Sequence, residues 1–226
     1  MKPIVLVFVL VFVRCAFAQQ PAGPVLDDFE TMPVGQPPAA PWVCHLPEGD
    51  ASIRITDAKS ASGRNSLAIS CNVPMEDRHK ILLPRMERPI QDTGLTGTVV
   101  FEGHLLLAPS TDTRIVIALC GGPKGQKVVS LLNSLSRLHS AGRLVWNPVL
   151  PDHLYHYKFT IHKAAATADL EVSENGAAWR NEFRDLPLGK PEEIFPLRYI
   201  TIYFGGPAKK GACAYFDDLK LETMER

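Results

Sequence analysis

Short segments in which apolar and polar residues alternate recur along the chain, and they constrain the fold more than any other feature. The clearest is Tyr155–His162, where two Tyr, a Phe and an Ile alternate with His, Lys, Thr and His. A period of two places one set of side chains on the buried face of a strand and the other set on its exposed face. Proline and glycine punctuate these segments. The pattern predicts an all-β fold, an antiparallel β-sandwich of two sheets of the jelly-roll type.

The same criteria predict the other strands of the sandwich. They are expected at Val25–Glu30, Ala51–Thr56, Ser66–Cys71, Ile81–Leu83, Thr98–Ala108, Asp112–Cys120, Lys127–Leu135, Arg143–Trp146, Ala168–Ser173, Trp179–Phe183, Arg198–Phe204 and Ala212–Glu222. Residues Leu131–Leu138 also permit a short helix, and periodicity leaves the two alternatives open. Asn175 and Gly176 predict a tight hairpin turn, because both residues tolerate a positive φ.

The first and last strands each carry an aromatic residue beside acidic residues, and together they bracket most of the chain. This similarity predicts that the two strands are adjacent in one sheet. A strict period of two gives the last strand one mostly apolar face, made of Cys213, Tyr215, Asp217, Leu219 and Leu221. Asp217 is then expected to need a hydrogen-bond donor or a metal ion, because an unpaired buried carboxylate is unfavourable.

The chain begins with a segment typical of exported proteins. Met1–Ala18 combines an early lysine, the apolar run Ile4–Val13 and the cleavage signal Ala16–Ala18, so it is predicted to be a signal peptide. The apolar run is too short to cross a bilayer, which takes about 20 residues. Residues 19–226 then suit one β-sandwich domain. The expected location is secreted, or periplasmic in the cell envelope.

Charge and cysteine content limit the function classes. The 24 basic and 24 acidic residues balance, which gives no indication of nucleic-acid binding. Four cysteines follow the signal peptide and permit two disulfides in three connectivities, or remain buried thiols. Cys71 and Cys213 are both expected to point inward on strands that can be neighbours. They are therefore the favoured pair if a disulfide forms.

Catalytic candidates are few. Hydrolysis of a glycosidic bond takes two carboxyl groups about 5–10 Å apart. Glu102, with His104 two residues further along the same strand, is the mid-strand candidate for a general acid or base. The alternative is a solvated polar pair on the outer face of a sheet. No Gly-x-Ser-x-Gly elbow occurs in the sequence.

Aromatic residues suggest sugar recognition, because the C–H faces of pyranose rings stack on flat aromatic rings. The tryptophans fall at strand ends or in loops, where such platforms are found. Trp146 and Trp179 are the candidate platforms for a ligand. One polar sheet face is expected to be lined by Tyr199, Tyr203, His156 and Lys158 together with Glu102 and His104. The alternative is that each tryptophan closes an end of the hydrophobic core.

Several short motifs resemble those of concanavalin A-like lectin/glucanase domains from exported bacterial proteins. They are Asp28–Glu30 with Pro33–Gly35 and Trp42, Gly63–Leu67, Leu154–Ile161 with the hairpin that follows, and Tyr215–Leu219. The resemblance covers most of the mature chain and implies a β-sandwich that recognises sugars. The Glu-x-Asp-x-x-Glu-like strand of glucanases on this fold is missing, as is the Arg-Glu-Leu-Arg-like strand of alginate lyases. Both departures put catalysis in doubt.

The first and last motifs also resemble jelly-roll carbohydrate-binding modules of the galactose-binding-like type. In those modules, a Phe-Glu near the start and an Asp in the last strand help to hold a structural calcium ion. The corresponding residues here are Glu30 and Asp217, and either Asp28 or Asp218 has to add oxygen ligands. The alternative is that Asp217 accepts hydrogen bonds from backbone N–H groups of the opening loop, with no ion present.

These observations predict a secreted, non-catalytic domain that binds carbohydrate in the manner of a lectin. One alternative is an enzyme that cleaves polysaccharide, a glycosidase or a lyase, with Glu102 at its centre. A second alternative is a structural or adhesive envelope protein. The expected partner is a polysaccharide or other glycan. We expect no nucleic acid, no membrane span and no cofactor other than structural calcium.

Overall fold

The computed structural model describes residues 25–46, 51–71, 83–92, 95–109, 114–206 and 211–224. The predicted signal peptide and most of the strand predicted at Ile81–Leu83 lie outside these residues. The strands are β1 (Val25–Asp27), β2 (Val43–His45), β3 (Ala51–Thr56), β4 (Ser66–Cys71), β5 (Arg85–Pro89), β6 (Thr98–Leu107), β7 (Ile115–Gly121), β8 (Gln126–Asn133), β9 (Leu138–Ser140), β10 (Arg143–Trp146), β11 (Leu154–His162), β12 (Thr167–Glu174), β13 (Arg180–Pro187), β14 (Leu197–Phe204) and β15 (Ala212–Met224). One short helix, α1 (Pro191–Ile194), precedes β14.

The strands form two antiparallel sheets, as the sequence predicts. Sheet 1 has the order β13-β12-β11-β6-β15-β4-β3, and β1 pairs with β15 beside this path. Sheet 2 has the order β10-β9-β8-β7-β14-β5-β2. Val25 lies opposite Leu221 and Asp27 opposite Leu219, so the predicted adjacency of the first and last strands is confirmed.

The hydrophobic core lies between the sheets and is built by period-two alternation. On β11, the predicted inward residues Tyr155, Tyr157, Phe159 and Ile161 are all fully buried. Phe159 stacks on Phe101 of β6, with ring centroids 6.3 Å apart. Burial of this apolar surface is the main favourable contribution to folding. The alternate residues of the same strands point to the outer face of sheet 1.

Some elements differ from the prediction. Strands β2, β5 and β9 were not predicted, because β2 and β9 have three residues each and β5 ends at Pro89. The helical alternative for Leu131–Leu138 is wrong, since β8 continues to Asn133. The hairpin turn is confirmed, because Asn175 and Gly176 have φ values of 50° and 72°, the conformation that a two-residue hairpin loop favours.

Strand β15 contains a bulge at Asp217 and Asp218, where its register against β6 shifts. Asp218 has a φ of 48°, in the left-handed region that non-glycine residues seldom adopt. The shift lets residues on both sides of the bulge reach the core, namely Ala214, Phe216, Leu219 and Leu221. The predicted apolar face is therefore wrong before the bulge, because Cys213 and Tyr215 lie on the outer face.

This switch of faces also removes the basis for the favoured disulfide. Cys71 is fully buried against the core, whereas Cys213 points to the opposite side of sheet 1. In the register of β4 and β15, Cys71 lies opposite Ala212 and Cys213 lies opposite Ser70. The prediction that both thiols point inward is wrong, and this register does not favour a bond between them.

Asp217 stabilises the bulge by binding backbone N–H groups. Its Oδ2 accepts hydrogen bonds from Ala61 (2.8 Å) and Ser62 (3.2 Å), and its Oδ1 accepts one from Asp218 (2.9 Å). Ala61 and Ser62 lie in the loop between β3 and β4. The sequence had suggested donors in the opening loop instead. Burial raises the pKa of the Asp217 carboxyl to about 6, so it is ionised at neutral pH, and the three donors stabilise the charged form.

We expect Asp217→Asn to lower the free energy of unfolding by about 2 kcal/mol, the usual effect of leaving buried donors unsatisfied. The amide keeps the shape of the side chain but replaces one acceptor oxygen with a donor that faces other N–H groups. Urea unfolding at pH 7 measures the change. The control is Asp57→Asn, the same substitution at an exposed position at the start of the loop between β3 and β4. An equal, small effect of both substitutions would contradict the assignment.

Candidate functional site

The outer face of sheet 1 carries two rows of polar side chains that cross neighbouring strands. In the first row, Lys158 on β11 lies opposite Glu171 on β12 and Glu102 on β6. Lys220 on β15 lies opposite Glu102 on its other side. Lys158 forms an ion pair with Glu171, and the Lys220 ammonium is 3.6 Å from the Glu102 carboxylate. The signs of the charges alternate along the row, so opposite charges are neighbours.

The second row consists of His156, His104 and Asp218. The two histidines are cross-strand partners, and their ring centroids are 4.1 Å apart. His104 Nδ1 is 3.2 Å from Asp218 Oδ2, and the Ser62 hydroxyl donates to Asp218 Oδ1 at 2.8 Å. The bulge in β15 brings Asp218 to this face. Bulges are often found next to active sites, where they redirect a side chain. We call the two rows together the polar face.

Both imidazoles of the polar face favour the neutral form. Burial, together with the nearby His104 and Lys158, lowers the pKa of His156 to about 4. Burial also lowers the pKa of His104, although Asp218 and Glu102 oppose this effect. A neutral imidazole carries one N–H donor and one acceptor nitrogen. The pair can therefore both donate to and accept from a ligand hydroxyl at neutral pH.

Trp179 extends from the β12–β13 hairpin over one end of the polar face. Its ring lies 4.5 Å from the His156 ring, and the Lys158 ammonium lies 4.9 Å from the ring centroid. The Ser173 hydroxyl donates to the Ala177 carbonyl at 2.6 Å, which fixes the loop before the tryptophan. The side chain remains 38% exposed. An aromatic surface thus lies beside the polar groups and is open to solvent.

Trp146 has a different environment and fits the alternative of a core-closing residue. Its ring meets Tyr155 edge-on at 6.0 Å, and the Arg180 guanidinium lies 4.1 Å from its centroid. Trp42 is buried, and its Nε1 donates to Asp27 at 2.9 Å. Of the three tryptophans, Trp179 therefore has the surface most suited to a ligand.

Tyr199 and Tyr203 do not join the polar face. They lie on β14, which belongs to sheet 2, and they pack over a small cluster formed by Val116, Ala118 and Cys120. The prediction that both tyrosines share one face with His156 and Lys158 is wrong. Period-two alternation identifies the face of a strand to which a residue points, but not the sheet to which the strand belongs.

Glu30 and Asp217 bind opposite ends of one turn. Glu30 Oε1 accepts hydrogen bonds from the backbone N–H groups of Arg64 and Asn65, each at 2.8 Å, while Asp217 binds the N–H groups at the start of the turn. Backbone N–H donors aimed at carboxylate oxygens do not suit a cation, which takes oxygen ligands. Within the described residues, no group of three His, Cys, Asp or Glu is arranged to hold a metal. Structural calcium remains a prediction.

The structure thus brings Trp179, His156, Lys158, Glu102 and His104 together, as the sequence predicts. The sequence reasoning did not assign Asp218 to this face. The available signal was the pair of adjacent aspartates in the middle of β15, which interrupts the alternation and indicates a bulge. Within the described part of the chain, no helix has the length and apolar character to cross a membrane.

Solved structures with a similar backbone identify the fold. The catalytic domain of a GH131 β-glucanase from Podospora anserina has a TM-score of 0.54 at 12% identity, over 77% of this chain and 80% of that chain. Lectin II from Ulex europaeus has a TM-score of 0.55 at 9% identity, over 89% and 98%. The fold is the concanavalin A-like β-sandwich. An endo-β-1,4-glucuronan lyase from the fungus Trichoderma reesei also matches, with a TM-score of 0.50 at 9% identity, over 78% and 89%.

Sequence comparison adds nothing to this fold assignment, because no family model and no curated protein matches the chain. The solved structures with a similar backbone include both a lectin and polysaccharide-cleaving domains. The fold is therefore compatible with either function, and the residues of the polar face determine which one this protein has.

The low pKa of His156 predicts a pH dependence of stability. The imidazole has a pKa of about 4 in the folded protein and about 6.5 when unfolded, so the unfolded state binds more protons between these values. Stability that is present above pH 6.5 is lost as the pH falls towards 4. We expect the melting temperature to fall less over this range in His156→Gln than in the wild type. Melts followed by circular dichroism measure this.

The matched control is His45→Gln, at an exposed position in β2. This variant should reproduce the pH dependence of the wild type. If His156→Gln and the wild type lose the same number of degrees between pH 6.5 and 4, the lowered pKa of His156 is contradicted.

Proposed function

We propose that this protein binds carbohydrate through the polar face of sheet 1. The observation that carries the proposal is the exposed ring of Trp179, which lies directly beside His156 and Lys158. A pyranose ring has apolar C–H faces and hydroxyl edges. An aromatic surface with adjacent donors and acceptors matches both parts of such a ligand.

The balance of charge favours an uncharged, hydroxyl-rich glycan. Each cation of the first row has a carboxylate partner: Lys158 has Glu171, and Lys220 has Glu102 and Glu222. The carboxylates of this face, which are Glu102, Glu171, Glu222 and Asp218, outnumber its two lysines, and both imidazoles favour the neutral form. The face therefore disfavours an anionic ligand, while its oxygens and nitrogens can exchange hydrogen bonds with hydroxyl groups. The β-glucanase with a similar backbone is consistent with this class of ligand.

Export is part of the same proposal. The N-terminal segment Met1–Ala18 supports a secreted or periplasmic location, where a glycan partner is accessible. N-terminal sequencing of the protein from an expressing cell checks the cleavage after Ala18.

A second candidate is polysaccharide cleavage, and one observation favours it. The Asp218 carboxylate lies 3.2 Å from Nδ1 of His104, and a carboxylate this close stabilises the charged imidazolium that forms during proton transfer. Glu102 is next to this pair, with its Oε2 4.0 Å from His156 Nε2. In this reading, Glu102 acts as general acid or base on the glycosidic oxygen or the attacking group.

Trp179→Ala should weaken binding roughly tenfold or more, because it removes an aromatic surface that a sugar ring would bury. A glycan array identifies the ligand, and isothermal titration calorimetry measures the affinity. Tyr203→Ala, on the outer face of sheet 2, is the control and should bind like the wild type. If the protein binds no glycan on the array, carbohydrate binding is contradicted and a structural or adhesive role is favoured.

Release of reducing sugar from the polysaccharides that bind separates the two candidate functions. Binding without release supports the carbohydrate-binding domain. Release that is lost in Glu102→Gln, while binding persists, supports the enzyme. Release that persists in Glu102→Gln excludes Glu102 from the reaction.

A further inference from the structure

A hollow lies on the outer face of sheet 1, at the opposite end of β11 from Trp179. Its volume is about 690 Å³, within the range of roughly 300–1,000 Å³ that is common for ligand pockets. Its walls are rich in hydroxyl groups and include Thr98, His162, Thr167, Asp185, Thr223 and Met224. The hollow is separate from the polar face.

The side chains at this hollow are held in place by a hydrogen-bonded chain. His162 Nε2 is 3.2 Å from Asp169 Oδ2, and its Nδ1 is 3.5 Å from Thr98 Oγ1. Asp169 Oδ1 in turn accepts from the backbone N–H of Asp185 at 2.8 Å. Asp185 has a φ of 49° and lies where the pairing of β12 and β13 is irregular. A bulged aspartate therefore adjoins the His162–Asp169 pair here, whereas at the polar face the bulged aspartate, Asp218, is itself the carboxylate beside the imidazole.

Thr167 gives the hollow an unused hydrogen-bonding group. Its Oγ1 is buried and has no partner among the described residues, although Thr167 lines the hollow. A buried hydroxyl without a partner is unfavourable. Because this oxygen has almost no exposed surface, a ligand hydroxyl satisfies it only after the Thr167 side chain rotates toward the hollow.

We infer that one glycan chain spans both sites, from Trp179 to Thr167, so that the ligand is an internal stretch of a linear polysaccharide. His156 and His162 both point outward on β11, and six residues of strand separate them by about 20 Å. Lys158 and Thr160 point outward between them, and they provide polar contacts along the path. This inference rests on the proposed function and specifies its ligand.

A chain that occupies both sites gains affinity with each added sugar until the hollow is reached. The aromatic surface of Trp179 holds one end by stacking, whereas the threonines of the hollow hold the other end by hydrogen bonds. A disaccharide reaches the tryptophan site alone. Loss of the hollow should therefore affect long oligosaccharides and leave short ones unchanged.

The test measures affinity for oligosaccharides of two, four and six units prepared from the polysaccharide that binds best on the array. We expect affinity to rise with length in the wild type. The double variant Thr98→Val, Thr167→Val should bind the hexasaccharide about tenfold more weakly, as expected for the loss of one or two hydrogen bonds. Its affinity for the disaccharide should not change. Thr31→Val, in an exposed turn, is the control and should match the wild type throughout.

The outcomes separate this inference from the proposed function. If the disaccharide and hexasaccharide bind equally well in a Trp179-dependent manner, the extended site is wrong and carbohydrate binding stands. If the double variant weakens both ligands equally, the hollow is not a separate subsite. If no oligosaccharide binds, both proposals are wrong. Far-ultraviolet circular dichroism and the melting temperature show whether the double variant is folded.

Discussion

The arrangement of sheet 1 depends on the hydrogen bonds that Asp217 accepts from backbone N–H groups. They hold the bulge at which β15 changes its register against β6. In a regular strand of this sequence, Phe216 and Leu219 would point to opposite faces of the sheet, because they are an odd number of residues apart and side chains alternate strictly. With the bulge, both reach the core, and Asp218 points to the outer face beside His104. One buried carboxylate therefore supports the packing of the core and the composition of the polar face together.

The two faces of sheet 1 are linked through its register. Tyr157 and Phe159 fix β11 against β6 from within the core, and the same register places Lys158 opposite Glu102 and His156 opposite His104. A slip of one residue would exchange the inward and outward sets completely. The hydrophobic core thus specifies which polar groups meet on the surface. Gly103 contributes by its small size, since a Cβ there would lie 2.6 Å from the hydroxyl of Tyr157.

The sequence predicts much of this architecture because alternation is a local property. It identified the inward residues of β11, the adjacency of the first and last strands, and the grouping of Trp179, Lys158 and Glu102 on one face. It could not assign Tyr199 to a sheet, since β14 pairs with strands distant in the chain, β5 and β7. It also misplaced Cys213, because a bulge shifts the pattern by one residue. Both errors arise from non-local pairing, which a period of two does not encode.

The unequal burial of the three tryptophans gives this protein an internal optical reporter. Trp42 is 6% exposed and Trp179 is 38% exposed, while Trp146 is covered by Arg180 and Tyr155. A small quencher dissolved in the solvent therefore reaches Trp179 far more readily than Trp42. Fluorescence from the β12–β13 hairpin can be separated from that of the interior without any label. The same indole that forms the exposed aromatic surface reports directly on whether that surface is covered.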